Sequence, residues 1–469
     1  MVIITAFFFE ELHMNIIIVG CGKVGTSLAE QLILENHNIT VIDRNEQILR
    51  NLCARLDIMG VTGNGAVLDT LVDAGIKDAD ILMAVTSSDE INMLSCLIAK
   101  KEGHCATIAR IRDPEYEKEI VYLQNELNLA LVINPDKMAA HEVVRLLNFP
   151  SALQVETFAK GKIDMIKIRL YDRSPLCNVT LADLHKHISS NVLISCVERG
   201  EEVLIPSGRT ELKAGDVISF IASPQEAVSF CKECNLDSAP IRSAFIVGGG
   251  KEGYYIASSL KESRSKCDLK IVEIDQNRCT ILSEAFPDAT IIHGDGTNRR
   301  LLEEEGVKSA DAFVALTGND EENIIMSMLN YTCDSDARNI TKMDYLDPAP
   351  FLQNPQVGSV VCSKKIVADE VVRYVRGLKN SSGSNMENLY TIAGGKAEVA
   401  EFLVREDTHF TDIPIAKLSF KPNTLVAAIL RKRQLIPPTG SECMKTGDRV
   451  IIATSNLGIR DLQDIFDEN

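Results

Sequence analysis

No apolar run in this chain approaches the roughly 18 residues needed to cross a bilayer. Runs such as Ile16–Val19 stop at a glycine after the length of a strand, so the chain is expected not to span a membrane by itself. Positive charge is also short: 49 Lys and Arg stand against 66 Asp and Glu, for a net charge of −17. There is no basic stripe and no helix-turn-helix pattern. Both absences argue against a nucleic-acid partner, because such binding draws its affinity from clustered cations. A disulfide framework is missing too. The 13 cysteines are odd in number and scattered through helix and strand patterns, which fits a reducing cytoplasm. Cys231 and Cys234 form a CxxC in a helical stretch, with no second pair or histidine to complete a zinc set, and the eight histidines fall in no ligand spacing. No metal site is expected, and His141 reads as a helix-surface or packing residue. Residues 1–13, MVIITAFFFEELH, lack the basic start and small-residue cleavage site of a signal peptide. They are expected to be an extension from an upstream start codon, with a short amphipathic addition as the competing explanation.

What the chain does have, it has twice. Gly20, Cys21, Gly22, Lys23, Val24 and Gly25 follow the apolar run Ile16–Val19; Gly248, Gly249, Gly250, Lys251, Glu252 and Gly253 follow Ala244–Val247. Each glycine cluster precedes an acidic strand end, Asp43 in ITVIDRN and Glu273 in LKIVEIDQN, at about the spacing where a Rossmann fold meets a ribose. The repetition continues through Gly63-Asn64-Gly65 and Gly294-Asp295-Gly296, then through DADILMAVTSSDEINM and SADAFVALTGNDEENI. Behind each unit, VLIPSGRTELKAGDVISFIA reads against QLIPPTGSECMKTGDRVIIA. The chain order is A, B, A′, B′.

Short β-branched or apolar runs at 16–19, 39–42, 59–61, 81–85 and 106–111 alternate with helical spacing, which implies a parallel sheet. Residues 151–235 and 388–465 carry short strands around turn residues and a lone helix near each end. The expected architecture is α/β: two Rossmann-type parallel-sheet domains, 14–150 and 242–380, each followed by a small α+β module, 151–235 and 388–469, as an internal duplication.

The glycine loop sets what such a site can bind. Its first glycine permits a tight turn, the second lets a pyrophosphate approach the backbone, the third lets helix and strand pack, and the helix N-terminus offers amides to phosphate. Asp43 can accept hydrogen bonds from ribose hydroxyls and would repel a 2′-phosphate, favouring NAD or an adenosine nucleotide over NADP. Ligands in open α/β sheets lie across the carboxyl edge of the strands. Asn64 is thus expected on the adenine side, Thr86 and Ser87 beside the phosphates or second ribose, and Arg110 within reach of an anionic oxygen. The matching positions are Asp295, Thr317 with Gly318, and Lys342. The competing reading of these polar residues is a turn or helix cap. Glu252 puts an extra carboxylate in the second loop, so the first loop is expected to bind the dinucleotide more tightly.

A dehydrogenase needs a proton donor or acceptor and substrate-binding charge beside the nicotinamide. The small modules offer no repeated His, Lys or Tyr arrangement to supply them. The clusters Asp89, Glu90, Asn92 and Asp320, Glu321, Asn323 read as charging and capping a helix N-terminus.

At these residues the chain resembles the regulator-of-potassium-conductance family, in the two-repeat form of the peripheral subunit of bacterial Trk potassium uptake systems. The resemblance rests on the order of glycine fingerprint, strand-end acid, TGNG, VTSSDEINM, IARIRDPEY and IPSG…LKAGD, repeated once, and covers everything after residue 13. It implies a cytoplasmic regulatory subunit, not an enzyme, peripheral on the inner face of the cell membrane. Such a subunit binds NAD(H) and adenine nucleotides (ATP or ADP) and forms a homo-oligomeric ring, a tetramer of two units per chain, beneath an integral-membrane Trk-type potassium translocator. By the same resemblance, positions 20–24, Asp43, Asn64, Thr86, Ser87 and Arg110 belong to one nucleotide site, and positions 248–252, Glu273 and Asp295 to the other. The alternatives are a tandem-Rossmann NAD-dependent oxidoreductase and a nucleotide-sensing transcriptional regulator.

Overall fold

The computed structural model describes residues 13–117, 119–148, 152–158, 162–236, 241–262, 267–332, 337–351, 354–380, 385–405, 408, 410–432, 434–459 and 461–467. The expected extension at 1–13 lies, apart from His13, outside the described residues.

The first sheet contains β1 (Asn15–Val19), β2 (Asn38–Asp43), β3 (Met59–Thr62), β4 (Ile81–Ala84), β5 (Ala106–Arg110) and β6 (Leu131–Ile133), in the order β3-β2-β1-β4-β5-β6. Every pairing is parallel. The connecting helices are α1 (Lys23–Leu34), α2 (Glu46–Arg55), α3 (Leu68–Asp73), α4 (Asp89–Glu102), α5 (Pro114–Glu117), α6 (Ile120–Glu126) and α7 (Pro135–Asn148). Helices on both faces explain why Ile81–Ala84 is apolar at every position and does not alternate, for all four residues are buried. The three-residue β6 is too short to carry a periodic signal and was not legible in the sequence. The strand order reverses between β1 and β4, which opens a crevice at their carboxyl ends.

The first small module is an antiparallel sheet of β7 (Ala152–Phe158), β8 (Ile163–Arg169), β9 (Leu193–Arg199), β10 (Glu202–Leu204) and β11 (Val217–Ala222), ordered β10-β9-β11-β8-β7, with α8 (Pro224–Glu233) behind it. Arg199 grips Asp216 with two hydrogen bonds, Nε to Oδ1 at 2.8 Å and Nη2 to Oδ2 at 2.7 Å. This clamp closes the Gly-Asp turn before β11.

The second copy repeats both layouts. Its parallel sheet holds β12 (Ser243–Val247), β13 (Asp268–Glu273), β14 (Thr290–His293), β15 (Ala312–Ala315), β16 (Arg338–Lys342) and β17 (Ser359–Val361), in the order β14-β13-β12-β15-β16-β17. Its helices are α9 (Lys251–Glu262), α10 (Gln276–Ala285), α11 (Arg299–Glu304), α12 (Asp320–Thr332) and α13 (Ser363–Asn380). The last sheet, β18 (Met386–Ile392), β19 (Ala397–Leu403), β20 (Thr424–Arg431), β21 (Gln434–Ile436) and β22 (Arg449–Thr454), is ordered β18-β19-β22-β20-β21, and Arg431 clamps Asp448 as Arg199 clamps Asp216. The lone helix expected near the end of this module is absent among the described residues: 462–465 form a single 3₁₀ turn, held by an Asp461–Asp464 capping box. One capped turn satisfies its own amides and needs no further helix.

Contacts group the chain differently from its sequence order. Among the described residues, those from 13 to 141 cluster with those from 244 to 372, and those from 142 to 243 with those from 373 to 467. In the second grouping, Phe158, Met165, Cys196 and Ile221 share a core with Val399, Ala428, Leu430 and Ile451. Phe158 is fully buried, and its ring meets Tyr390 edge-on at 4.6 Å. The other face of β11, through Ile218 and Phe220, packs on Ala227 and Phe230 of α8. Burial on both faces accounts for a strand that is apolar at every position but Ser219.

Candidate nucleotide site

The first crevice is built around the turn between β1 and α1. Gly20 has φ +106°, a conformation that side-chain-bearing residues rarely adopt, and a Cβ there would stand 3.1 Å from the Thr86 backbone. At Gly25 a Cβ would fall 1.9 Å from the Gly20 carbonyl oxygen, so only glycine lets α1 pack against its own loop. Gly22 differs from both: a Cβ would meet nothing within 4 Å among the described residues, leaving open space above the loop. Gly22 is also the N-cap of α1 and provides no side-chain acceptor, whereas Asn45 caps α2 and Ser88 caps α4. The first amides of α1 therefore face the crevice without side-chain partners, which is the arrangement that receives an anion.

Asp43 flanks this loop. Its Oδ2 accepts the Cys21 N–H at 2.6 Å and its Oδ1 the Asn45 N–H at 2.8 Å. Each oxygen keeps a second lone pair for a ligand hydroxyl. The Cys21 thiol is pushed up to about 12 by burial and by the neighbouring Asp43 carboxylate, so it stays neutral. Glu273 repeats the arrangement, accepting from Gly249 N–H at 2.8 Å and Asp275 N–H at 2.9 Å.

Several expected ligand residues are engaged locally. Asn64 Oδ1 accepts the Ala66 N–H, and Asp295 Oδ1 takes both the amide and the hydroxyl of Thr297. The Thr86 hydroxyl donates to Asn92 Oδ1 at 2.7 Å, as Thr317 does to Asn323 at 2.8 Å. Ser87 is exposed beside Thr86. Arg110 closes β5 and donates from Nη1 to the Val85 carbonyl at 3.2 Å; its buried Nε has no hydrogen-bond partner among the described residues. Burial and the adjacent Arg112 charge lower its pKa.

The second loop keeps the same frame with different chemistry. Gly248 has φ +112°, and a Cβ at Gly250 would meet nothing within 4 Å. The Glu252 carboxylate, only 5% exposed, turns to the end of β16 and lies 2.8 Å from Lys342 Nζ. Arg278 donates to the Gly249 and Gly250 carbonyls at 2.8 and 3.0 Å. Sequence reasoning missed Arg278, because the first copy has Ile48 at that position and the repeat therefore did not flag it.

Asp89 and Asp320 do more than charge a helix end. Asp89 Oδ2 accepts the Arg112 and Asp113 amides, and the Asp320 carboxylate accepts those of Asp344, Tyr345 and Leu346. Asn92 and Asn323 reach the Arg110 and Lys342 carbonyls. Together they tie the ends of β4 and β5, and of β15 and β16, to one helix. The first and second copies also meet near their loops: Lys23 Nζ sits 3.2 Å above the Tyr345 ring, Lys251 Nζ lies 3.4 Å from Asp113, and Tyr255 O–H donates to the Arg112 carbonyl at 3.2 Å.

Among the described residues no helix is long and apolar enough to cross a membrane, and no group of three or more His, Cys, Asp or Glu could hold a metal ion. Two glycine-loop Rossmann-type sheets, each followed by an antiparallel module, define a duplicated protein in which residues 16–135 and 244–363 match the TrkA-N domain and residues 165–235 and 399–467 the TrkA-C domain. The chain belongs to the TrkA family. It is 31% identical over 460 residues to the Trk system potassium uptake protein TrkA of Halomonas elongata, covering 97% of this chain and 98% of that one. To the protein of the same description from Haemophilus influenzae it is 30% identical over 452 residues, covering 94% and 96%. Among solved structures, the GsuK channel bound to NAD shares the fold with a TM-score of 0.63 at 15% identity, over 95% of this chain and 78% of that one.

Proposed function

We propose that this chain is a non-enzymatic, nucleotide-binding regulatory subunit of a potassium uptake system. In this reading it is cytoplasmic, lies on the inner face of the cell membrane, and gates an integral-membrane Trk-type translocator. The domains at 14–150 and 242–380 carry the nucleotide sites. NAD(H) is the ligand of the first, with ATP or ADP as further ligands. The observation that carries the reading is the uncapped N-terminus of α1 beneath the open space at Gly22, with Asp43 alongside. Pyrophosphate sits on the amides, ribose hydroxyls on Asp43, and the Arg110 guanidinium approaches phosphate oxygen. Full-length similarity to potassium uptake proteins supports the biological role.

The mechanism is a population shift. A nucleotide that binds one arrangement of the Rossmann units better than another biases the assembly, and it can shift the equilibrium only by its differential affinity. Coupling of about 1–3 kcal/mol per site is typical. The test has two parts. NADH should bind the wild-type chain, and the tighter, first-loop component of that binding should be lost from Gly22→Ala, whose new methyl enters the open phosphate space. In liposomes holding the translocator, NADH should change potassium flux only when the wild-type chain is added. Flux indifferent to the nucleotide, or NADH turnover with a small substrate, would overturn this assignment.

A further inference from the structure

The two loops differ most in how they treat the cation at the end of the fifth strand. In the first copy that cation is Arg110, and the helix residue facing inward is the apolar Val24, 7% exposed. Among the described residues Arg110 donates a hydrogen bond to a backbone carbonyl and its buried Nε has no hydrogen-bond partner, while Asp136 and Asp89 act on it only through space. In the second copy the cation is Lys342 and the helix residue is Glu252. Glu252 Oε1 lies 2.8 Å from Lys342 Nζ, while the buried Oε2 has no hydrogen-bond partner among the described residues.

We propose that Glu252 is a resident anion of the second site: it occupies Lys342, whose counterpart Arg110 is left for ligand phosphate, so the second loop accepts a diphosphate ligand well only when this carboxylate is neutralised. The inference rests on the reading that each glycine loop is a nucleotide site.

The surroundings of Glu252 set how it is neutralised. Lys342 faces it from β16, and Asp344, just beyond that strand, comes within 3.5 Å of the same ammonium. From the first copy, Asp136 at the start of α7 and Arg112 after β5 act on Glu252, but these two are already paired at 2.6 Å. With Asp89 and Arg110, which act on Arg112 and Asp136, four carboxylates thus share three cations in a largely buried space, and one proton is the cheapest way to balance them. Glu252 takes it, because Oε2 has an unused acceptor position whereas the Asp136 oxygens bind Arg112 and Asp344 Oδ1 accepts the Ser363 amide and hydroxyl. Burial, reinforced by Asp344 and opposed by Lys342, pushes the Glu252 carboxyl up to about 7. Lys342 moves upward too, since its attraction to Glu252 and Asp344 outweighs the penalty of its own burial. Protonating Glu252 removes the nearer of the two carboxylates on Lys342 and leaves that ammonium, with only Asp344 at 3.5 Å, to a ligand.

The test uses NAD⁺, whose diphosphate diester has no group titrating near neutrality, and the full chain carrying Gly22→Val to silence the first loop. Affinity should rise about tenfold from pH 8 to pH 6, the ratio of protonated fractions for a group near 7. Adding Glu252→Gln should make binding tight at both pH values. The complementary Gly250→Val chain should retain first-loop binding without this pH dependence. Affinity of the Gly22→Val chain that is flat between pH 6 and 8, or Glu252→Gln no tighter than its parent at pH 8, overturns the proposal. Absence of binding in both Gly22→Val chains also overturns it, while NAD⁺ binding by the Gly250→Val chain would keep the nucleotide reading of the first loop intact. The pH series on the Gly22→Val parent needs no change at residue 252, so it stands even where Glu252→Gln does not fold.

Discussion

Asp43 and Glu252 are both carboxylates beside a glycine loop, and their partners give them opposite roles. Asp43 is held by two backbone amides, from Cys21 and Asn45, in a position where it can also accept ribose hydroxyls. Asp43→Ala should weaken NADH binding by about 1–3 kcal/mol, the scale of charge-assisted hydrogen bonds, and should narrow the preference over NADPH; calorimetry with both nucleotides measures each half. Glu252 is held by a buried ammonium and titrates near neutrality. Because its folded value, about 7, lies above the ordinary 4.5, its contribution to stability is greatest below pH 4.5 and is lost as pH rises through 7. Between pH 6 and pH 8 the wild-type chain should lose about 1 kcal/mol more stability than Glu252→Gln. Urea unfolding of both chains at the two pH values checks this, and parallel profiles would show that Glu252 does not titrate there.

At the scale of elements, what positions the site is the seam between the fourth strand, the following helix and the fifth strand. Asp89 is 8% exposed and accepts two loop amides, while Asn92, fully buried, joins Thr86 to the Arg110 carbonyl. Removing the carboxylate leaves those amides without their acceptor. Asp89→Ala should therefore cost about 2–3 kcal/mol of stability, read as a lower urea midpoint with an unchanged slope. It should also weaken NADH binding, since Arg110 ends the strand that this seam holds. Asp89→Asn, which keeps one acceptor oxygen, should recover part of both losses.

For the whole molecule, α4 and α12 each leave apolar side chains in the open: Leu94 is 46% exposed, Ile325 56% and Leu329 38%. We propose the apolar helix at 91–99 as a candidate contact surface between subunits. With two Rossmann units per chain, a ring of eight such units is a homotetramer. Light scattering at micromolar protein should give four times the chain mass of 51.6 kDa. Leu94→Lys together with Ile325→Lys should lower it. A wild-type chain that stays at the monomer mass with and without nucleotide would remove the ring.

Much of this protein was readable from the sequence because it is governed by short-range rules. A strand, a glycine turn and a helix follow one another within 25 residues, so the loop at 20–25, Asp43 and the parallel sheet were expected and are present. The duplication gave each assignment a second instance. Where the two copies differ, as at Ile48 and Arg278, the repeat could not point to the residue.

The sequence by itself determined the two glycine loops, their acidic strand ends and the order A, B, A′, B′, since local periodicity and spacing are sufficient for each. Only the tertiary structure decided that A clusters with A′ and B with B′. It also decided that Asp89 ties down a loop 23 residues away and that Glu252 bonds to Lys342, not to the loop it belongs to. These pairings join residues far apart in the chain. They depend on which apolar faces find each other and on where a buried charge finds its counterion, and neither is encoded in spacing along the sequence.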